Sequence, residues 1–390
     1  MTRKYRIFIC AGEPSGDNHG AKLVNALREA APEVELDVFG AGGPKLREAG
    51  LDAVVRTDDM AIVGLPEIAR ALPMFIRVFG KLKRAAVQRK ADLAVLIDYP
   101  DFNLRLARSL KKNGISVVYY ISPQLWAWRK YRISTIRKYV DLLISILPFE
   151  KNWYAENGYS RVEYVGSPLV REIHAAKAKA KFCEIHGLDQ FKPIISMLPG
   201  SRHRELERIL PEMLRAAAII SAKKPETQFL VALAANRRVE EIERATAHLS
   251  SSEQVGLKGK LFRIEDATYD ALAASDAAAV TSGTATLETG IIGTPMVIVY
   301  KTSKINYSLL RPLIDVTHFG LINLIAGERV GKELIQNDLT PEGLATELLR
   351  LLDPTENNRV RKSLKEAADK LGSGGASRRA AEAILRLLED

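Results

Sequence analysis

Cysteine is nearly absent. Cys10 and Cys183 are the only two in 390 residues, too few for a disulfide framework and without metal-ligand spacing, so a reducing compartment is expected. Histidine is equally sparse. His19, His174, His186, His203, His248 and His318 form no His-Glu-x-x-His or related pattern, and no metal site and no cofactor are expected. Long apolar runs are missing as well: no stretch approaches the roughly 18 residues that a spanning helix needs, so any membrane contact is expected to be peripheral. The run Ile7 to Ala11, behind the basic N-terminal residues, stops at Gly12-Glu13-Pro14. It is too short for the core of a signal peptide and right for a buried strand. The first strand is not followed by Gly-x-Gly-x-x-Gly, which removes support for a nicotinamide or flavin role, and no Gly-x-Ser-x-Gly elbow offers an acyl-serine nucleophile.

What is present is a localised charge. The 57 Lys and Arg against 47 Asp and Glu give +10, and residues 60–150, with 16 basic and 6 acidic side chains, account for all of it. A nucleic-acid coat or a disordered basic tail would be poor in core-forming residues, yet hydrophobic residues make up 47% of the chain; the chain is globular, and a non-catalytic nucleic-acid binder that uses the basic segment alone stays open at this point. Its length favours two domains. Short apolar runs alternate with helical periodicity, the pattern of a parallel sheet with crossover helices. Strands are expected at Arg6–Cys10, Leu36–Phe39, Leu93–Ile97, Ser116–Ile121, Leu142–Ile146 and Arg161–Val165, and the pattern restarts with Ile194–Leu198, Gln228–Ala232, Leu261–Ile264, Ala277–Val280 and Pro295–Tyr300. The fold class is therefore α/β, two Rossmann-like doubly wound domains with an interdomain cleft and C-terminal helices. The domains are expected at 1–170 and 190–352, separated by an exposed helical connector between Gly166 and Pro193, with a helical tail at 353–390 that packs back on an N-terminal domain.

Four stretches sit where strands hand over to helices. Ala11 to Asp17 lets the backbone turn tightly before a helix expected near His19, with Asp17 available as its cap. Asp98 ends a continuous apolar strand, where a general base belongs, while capping is the expected role of Asp101 and a simple explanation of Asn103. Pro199 to Glu205, with Gly200, Ser201 and Arg202, and Thr281 to Glu288, with Ser282, Gly283, Thr284 and Thr286, are two glycine-hydroxyl turns suited to a nucleotide diphosphate; Glu288 is placed to accept ribose hydroxyls. A fifth stretch, Met60 to Lys90, repeats apolar residues at helical spacing beside a row of cations. It reads as a core helix with a solvated basic face or as an anionic-lipid contact. In the same basic region, Trp126 and Trp128 lie beside three cations, Arg129, Lys130 and Arg132, and suit either sugar stacking or core packing.

Together, Ala-Gly-Glu-Pro-Ser-Gly-Asp at 11–17, Ile-Asp-Tyr-Pro-Asp-Phe-Asn at 97–103, Ile-Ser-Pro-Gln-Leu-Trp-Ala-Trp-Arg at 121–129, Leu-Pro-Phe-Glu at 147–150, Leu-Pro-Gly-Ser-Arg at 198–202, Ser-Gly-Thr-Ala-Thr-Leu-Glu at 282–288 and Asn-Leu-Ile-Ala-Gly at 323–327 closely resemble the lipid-A-disaccharide synthase family over nearly the whole chain. The resemblance implies an inverting glycosyltransferase of the GT-B type that joins UDP-2,3-diacylglucosamine to 2,3-diacylglucosamine 1-phosphate, forming a β-1,6-linked disaccharide and releasing UDP. It implies Asp98 as the base, Arg202 and its turn as the diphosphate grip, Ser282 to Glu288 as ribose and phosphate contacts, Asn323 near the donor, and Glu13 and Ser15 as acceptor or sugar contacts. Pro14 and Ile322 stand where the family commonly has alanine and proline. The acylated substrates tip the fifth stretch towards an anionic membrane surface, with Ile62, Val63, Leu72, Phe75, Ile76 and Phe79 facing lipid. The implied location is cytoplasmic, on the inner face of the inner membrane of a Gram-negative-type bacterium. A homodimer is left open, and with the basic charge assigned to lipid and a phosphorylated acceptor no nucleic-acid partner is expected. The alternative enzyme classes are another UDP-sugar transferase of this architecture or a UDP-N-acetylglucosamine epimerase.

Overall fold

The computed structural model describes residues 3–57, 65–233, 239–303, 307 and 316–389, with the side chains of 65–72 and 239 left aside. The chain forms two compact units, Met1–Pro168 with Gly374–Asp390, and Leu169–Ser373.

In the first unit the strands are β1 (Lys4–Ala11), β2 (Glu35–Gly42), β3 (Asp52–Arg56), β4 (Leu93–Ile97), β5 (Ser116–Tyr120), β6 (Leu142–Ser145) and β7 (Val162–Tyr164). Among the described residues they make one parallel sheet in the order β3-β2-β1-β4-β5-β6-β7. Side chains alternate across it, as strand geometry requires. Ile7, Ile9, Val95 and Ile97 enter one core with the helix Pro14–Ala30, whereas Phe8, Cys10, Ala94 and Leu96 enter the other with Leu82, Ala86 and Phe102. Both faces are therefore buried, which explains the unbroken apolar run of β4. Cys10 lies in this interior as a free thiol that burial pushes up to about 12, and Cys183 is also free and buried.

The second unit carries β8 (Ile194–Leu198), β9 (Gln228–Ala232), β10 (Leu261–Ile264), β11 (Ala277–Thr281), β12 (Met296–Tyr300) and β13 (Lys332–Ile335), parallel in the order β10-β9-β8-β11-β12-β13. In each sheet the order reverses beside the first strand of its unit, between β1 and β4 and between β8 and β11. The carboxyl ends of those strands are where open α/β sheets bind ligands.

Several expectations are corrected. The first helix begins at Pro14, not near His19, because proline at its start needs no amide partner. Asp17 caps a different helix. Its buried carboxylate accepts from the amides of Gly43 (2.7 Å), Lys45 (3.0 Å) and Leu46 (3.1 Å) at the start of Pro44–Glu48. The segment expected as an exposed connector folds onto the second unit, where the buried Asp270 carboxylate takes the Ala176 and Lys177 amides at 2.6 and 3.0 Å, and Phe182 is fully buried. The tail is divided. The helix Pro354–Asp369 stays with the second unit, since Arg361 donates to the carbonyls of Gly293 (2.8 Å) and Ser275 (3.1 Å) at the ends of two of its helices. Only the helix Ala376–Glu389 joins the first unit, packing Ala380, Ala381 and Ile384 into its core and holding the Val165 carbonyl through Arg379 at 2.8 Å.

Candidate functional site

In the first unit the handover after β4 is left-handed at two successive non-glycine residues, Asp98 (φ 47°) and Tyr99 (φ 50°). Such a backbone costs on the order of 1 kcal/mol per residue and persists only where neighbours fix it. Here the Asp98 carbonyl receives Tyr119 Oη at 2.6 Å and Asn103 Nδ2 at 2.9 Å, and its amide donates to the Tyr120 carbonyl at 3.0 Å. Asn103 is fully buried and also reaches the Ile97 carbonyl at 3.1 Å. It pins the strand end and does not cap a helix. The Tyr99 ring lies against Gly12, where a Cβ would stand 2.4 Å from Tyr99 Cδ1, so any side chain at 12 would displace it. Burial raises the proton affinity of Asp98, tempered by a hydrogen bond from the Tyr99 amide; burial and the Asp98 charge together raise that of Glu13. Two carboxyl groups thus share the mouth of the β1–β4 switch point. Ser15, two residues beyond Glu13, is exposed.

The loop after β5 is anchored from beneath. Trp126 is buried and donates Nε1 to Glu150 Oε1 at 3.0 Å. Glu150 is 1% exposed, its Oε2 has no hydrogen-bond partner, and burial pushes its carboxyl up to about 8 against the lowering effect of the Trp126 and Ser122 bonds. Trp128 is 44% exposed. The two tryptophans therefore divide between core and surface.

In the second unit a cleft of about 670 Å³ opens between the ends of β8 and β11 and is lined by Gly200, Ser201, Arg202, Ser282, Gly283, Thr284 and Glu288, among others. Gly200 has φ +106°, which favours glycine, and a Cβ there would meet Glu205 Oε2 at 2.7 Å, so that side chain would have to move. Arg202 starts the helix His203–Lys223 and pairs with Glu205 at 2.8 Å while its side chain stays 80% exposed. The helix Thr284–Ile292 begins at Gly283 and presents its free amides to the cleft. Burial raises the proton affinity of Glu288, and Tyr269 Oη donates to it at 3.4 Å. Tyr269, pushed up to about 12 by burial and the Glu288 charge, keeps its proton and so serves as a donor. The Thr281 hydroxyl lines the same cleft, buried and without a partner.

Tyr269 and His174 were not anticipated from sequence as cleft residues, whereas Thr281 opens the anticipated stretch Thr281 to Glu288. Tyr269 and His174 belong to segments without glycine-hydroxyl signatures, and only the topology brings them to the strand ends. Other anticipated residues are occupied elsewhere. Thr286 is fully buried, donating to the Gly283 carbonyl at 2.8 Å and accepting from the Leu321 amide at 3.1 Å. Ser282 lines the cleft but donates its hydroxyl to the Phe319 carbonyl at 2.7 Å. Asn323 does not reach the cleft. It is fully buried, with Nδ2 on the Gly331 carbonyl (2.8 Å) and Glu333 Oε1 (2.9 Å) and Oδ1 on the Gly331 amide (2.8 Å), so every polar atom is used inside the protein. Asp101 does not cap a helix either; it pairs with Arg129 and Arg132. Of the lipid-facing set, Ile62, Val63 and the side chain of Leu72 lie outside the described residues. Phe75 and Phe79 are half-buried core contacts, their rings 6.5 and 5.7 Å from that of Phe102. Ile76, on the same helix Leu65–Gln88, is 64% exposed.

A family profile described as lipid-A-disaccharide synthetase matches residues 7–386. The lipid-A-disaccharide synthase of Syntrophus aciditrophicus is 44% identical over 98% of this chain and 98% of that protein, and the one from Myxococcus xanthus is 42% identical over 100% and 99%. Among solved structures, a UDP-GlcNAc 2-epimerase from Neisseria meningitidis superposes with TM-score 0.58 at 13% identity, covering 98% of this chain and 100% of that one. The calicheamicin glycosyltransferase CalG4 gives 0.56 at 16%, covering 100% and 99%. At these identities the structural likeness shows the two-sheet GT-B fold alone. The sequence relatives decide between transferase and epimerase.

Proposed function

This chain belongs to the lipid-A-disaccharide synthase family of glycosyltransferases, and on that premise we propose that it joins UDP-2,3-diacylglucosamine to 2,3-diacylglucosamine 1-phosphate by a single inverting displacement. The acceptor's 6-hydroxyl oxygen forms a bond to the anomeric carbon as the bond from that carbon to UDP breaks. Asp98 takes the hydroxyl proton, and UDP leaves with the electron pair. The observation that carries this reading is the Asp98 carboxylate at the end of β4, made more basic by burial and fixed by a backbone that Tyr119 and Asn103 pin. A base needs both raised basicity and a defined position. Glu13 and Ser15 supply sugar contacts beside it. Gly200, Ser201, Arg202, Ser282, Gly283, Thr284 and Glu288 hold the nucleotide, with Arg202 and the amides at the start of Thr284–Ile292 compensating the diphosphate charge. Incubation with both acylated substrates should yield disaccharide and UDP in equal amounts; folded protein that yields neither would exclude the reaction.

Two further outcomes belong to this reading. Glu288→Ala should weaken UDP binding about tenfold to a hundredfold by calorimetry, the loss typical of hydrogen bonds to a charged group, and unchanged affinity would remove Glu288 from the nucleotide site. Among the described residues no helix is long and apolar enough to cross a membrane. We assign the lipid contact to the exposed side of Leu65–Gln88, where Ile76, Arg77, Lys81 and Arg84 are solvent-accessible, a composition suited to an anionic leaflet on the inner face of the inner membrane. Ile76→Asp should lower sedimentation with anionic vesicles severalfold at unchanged melting temperature. Unaltered sedimentation would place the contact elsewhere.

A further inference from the structure

Two guanidinium groups converge on one carboxylate oxygen close to Asp98. Arg129 Nη1 donates to Asp101 Oδ1 at 2.8 Å, and Arg132 Nη2 donates to the same atom. Asp101 sits in the first turn of Pro100–Lys111, three residues beyond Asp98, so their Cα atoms are at most about 11 Å apart. Arg129 is itself left-handed (φ 57°), and its guanidinium stacks over the Trp128 ring at 4.2 Å from the centroid. The stack and the Asp101 bond hold a long, otherwise mobile side chain in one orientation.

The charge balance of this cluster is incomplete. Two cations share one anion, and Lys130 beside them is exposed. Asp101 offers its second oxygen to neither arginine, and its side chain is 63% exposed, that of Arg129 36%. Burial acts to raise the Asp101 proton affinity, but the two arginines outweigh it and hold the carboxyl below its usual range, so it remains an anion that orients them. Arg132 lies deeper, its side chain 15% exposed and bonded to Tyr131 as well, so the guanidinium open to a ligand is that of Arg129, with Arg132 adding charge behind it; a guanidinium fork of this kind matches a phosphate monoester.

We infer that Arg129 and Arg132, positioned by Asp101 and Trp128, form the subsite that receives the acceptor's phosphate, and so orient its far hydroxyl towards Asp98. This rests on the proposed reaction and adds the residues that select a phosphorylated acceptor. A lipid headgroup offers the same phosphate chemistry, so the test is run in neutral detergent micelles, without anionic lipid.

With the phosphorylated acceptor, Arg129→Ala should raise the acceptor KM about tenfold to a hundredfold and leave UDP affinity unchanged. Arg129→Lys should recover part of the loss, since it keeps the charge and not the fork. Asp101→Asn, a positioning change, should raise KM in the same direction with kcat within about twofold. With the acceptor lacking phosphate, wild type and Arg129→Ala should become equal. Glucosamine 1-phosphate as a soluble competitor gives a second reading: its inhibition constant should rise with the KM. An Arg129→Ala effect of equal size on both acceptors, or an unchanged inhibition constant, would overturn the subsite. A loss seen only with anionic vesicles would reassign the cluster to the lipid headgroup and overturn it as well. Wild type that makes no disaccharide from either acceptor would instead overturn the proposed reaction, and the subsite with it.

Discussion

Asp98→Asn should lower turnover by about two to four orders of magnitude, the range expected for loss of a general base, while UDP binding stays within about twofold. The substitution preserves shape and leaves the pinned backbone intact, because the bonds from Tyr119 and Asn103 go to the Asp98 carbonyl and not to its side chain. The pH profile supplies a second signature. Only the ionised carboxylate accepts a proton, so kcat/KM should fall as pH drops through the Asp98 titration, and the raised proton affinity moves that limb above the ordinary carboxylate range. In Asp98→Asn the limb should vanish. Glu13 should also ionise more readily there, since part of what raises its proton affinity is the Asp98 charge. Near-normal turnover, or a residual rate with the same acidic limb, would move the base elsewhere.

Glu150→Gln should flatten the dependence of stability on pH. The Glu150 carboxyl titrates at about 8 when folded against an ordinary value of 4.5, so between those values the folded chain holds a proton that the unfolded chain releases. Stability from this group is complete below the unfolded value and is lost as pH rises through the folded one. The full effect above pH 8 is on the order of 5 kcal/mol. Glutamine keeps an acceptor for Trp126 Nε1 and cannot ionise. The variant should therefore gain stability over wild type as pH increases from 5 to 9, read as diverging midpoints in urea or heat. Parallel curves would mean that the Glu150 proton is not part of the folding balance.

How far such features were legible depended on which physical signal each residue carries. Fully buried strands such as β4 and β8 announce themselves as continuous apolar runs, and the glycine turns after β8 and β11 follow from backbone chemistry that few other residues permit. The strands β3, Asp-Ala-Val-Val-Arg, and β13, Lys-Glu-Leu-Ile, were missed because they sit at sheet edges, where one neighbour suffices and polar residues are tolerated. Asn323 shows the limit of carrying a role across from a family resemblance: position in sequence does not reveal that Glu333 and Gly331 claim its amide. Asp17 and Asp101 show the same limit within capping logic. Each lies in the first turn of a helix, yet its partners come from residues about 26 to 31 positions further along the chain. Tyr269 offered no signal at all, since its value lies in facing Glu288 across the cleft.

The order in which the chain is made bears on its first unit. That core contains Leu23, Val24 and Leu27 together with Ala380, Ala381 and Ile384, which are synthesised more than 350 residues later. Domains emerging from the ribosome generally fold from the N-terminus as units, but this one lacks part of its wall until more than two hundred further residues have been added. The second unit, Leu169–Ser373, is contiguous and has no such wait. Nascent chains halted before Ala376 should therefore hold an unfinished first unit with an apolar helix face open to chaperones, and removal of the helix Ala376–Glu389 should act on the base-bearing unit, far away in sequence.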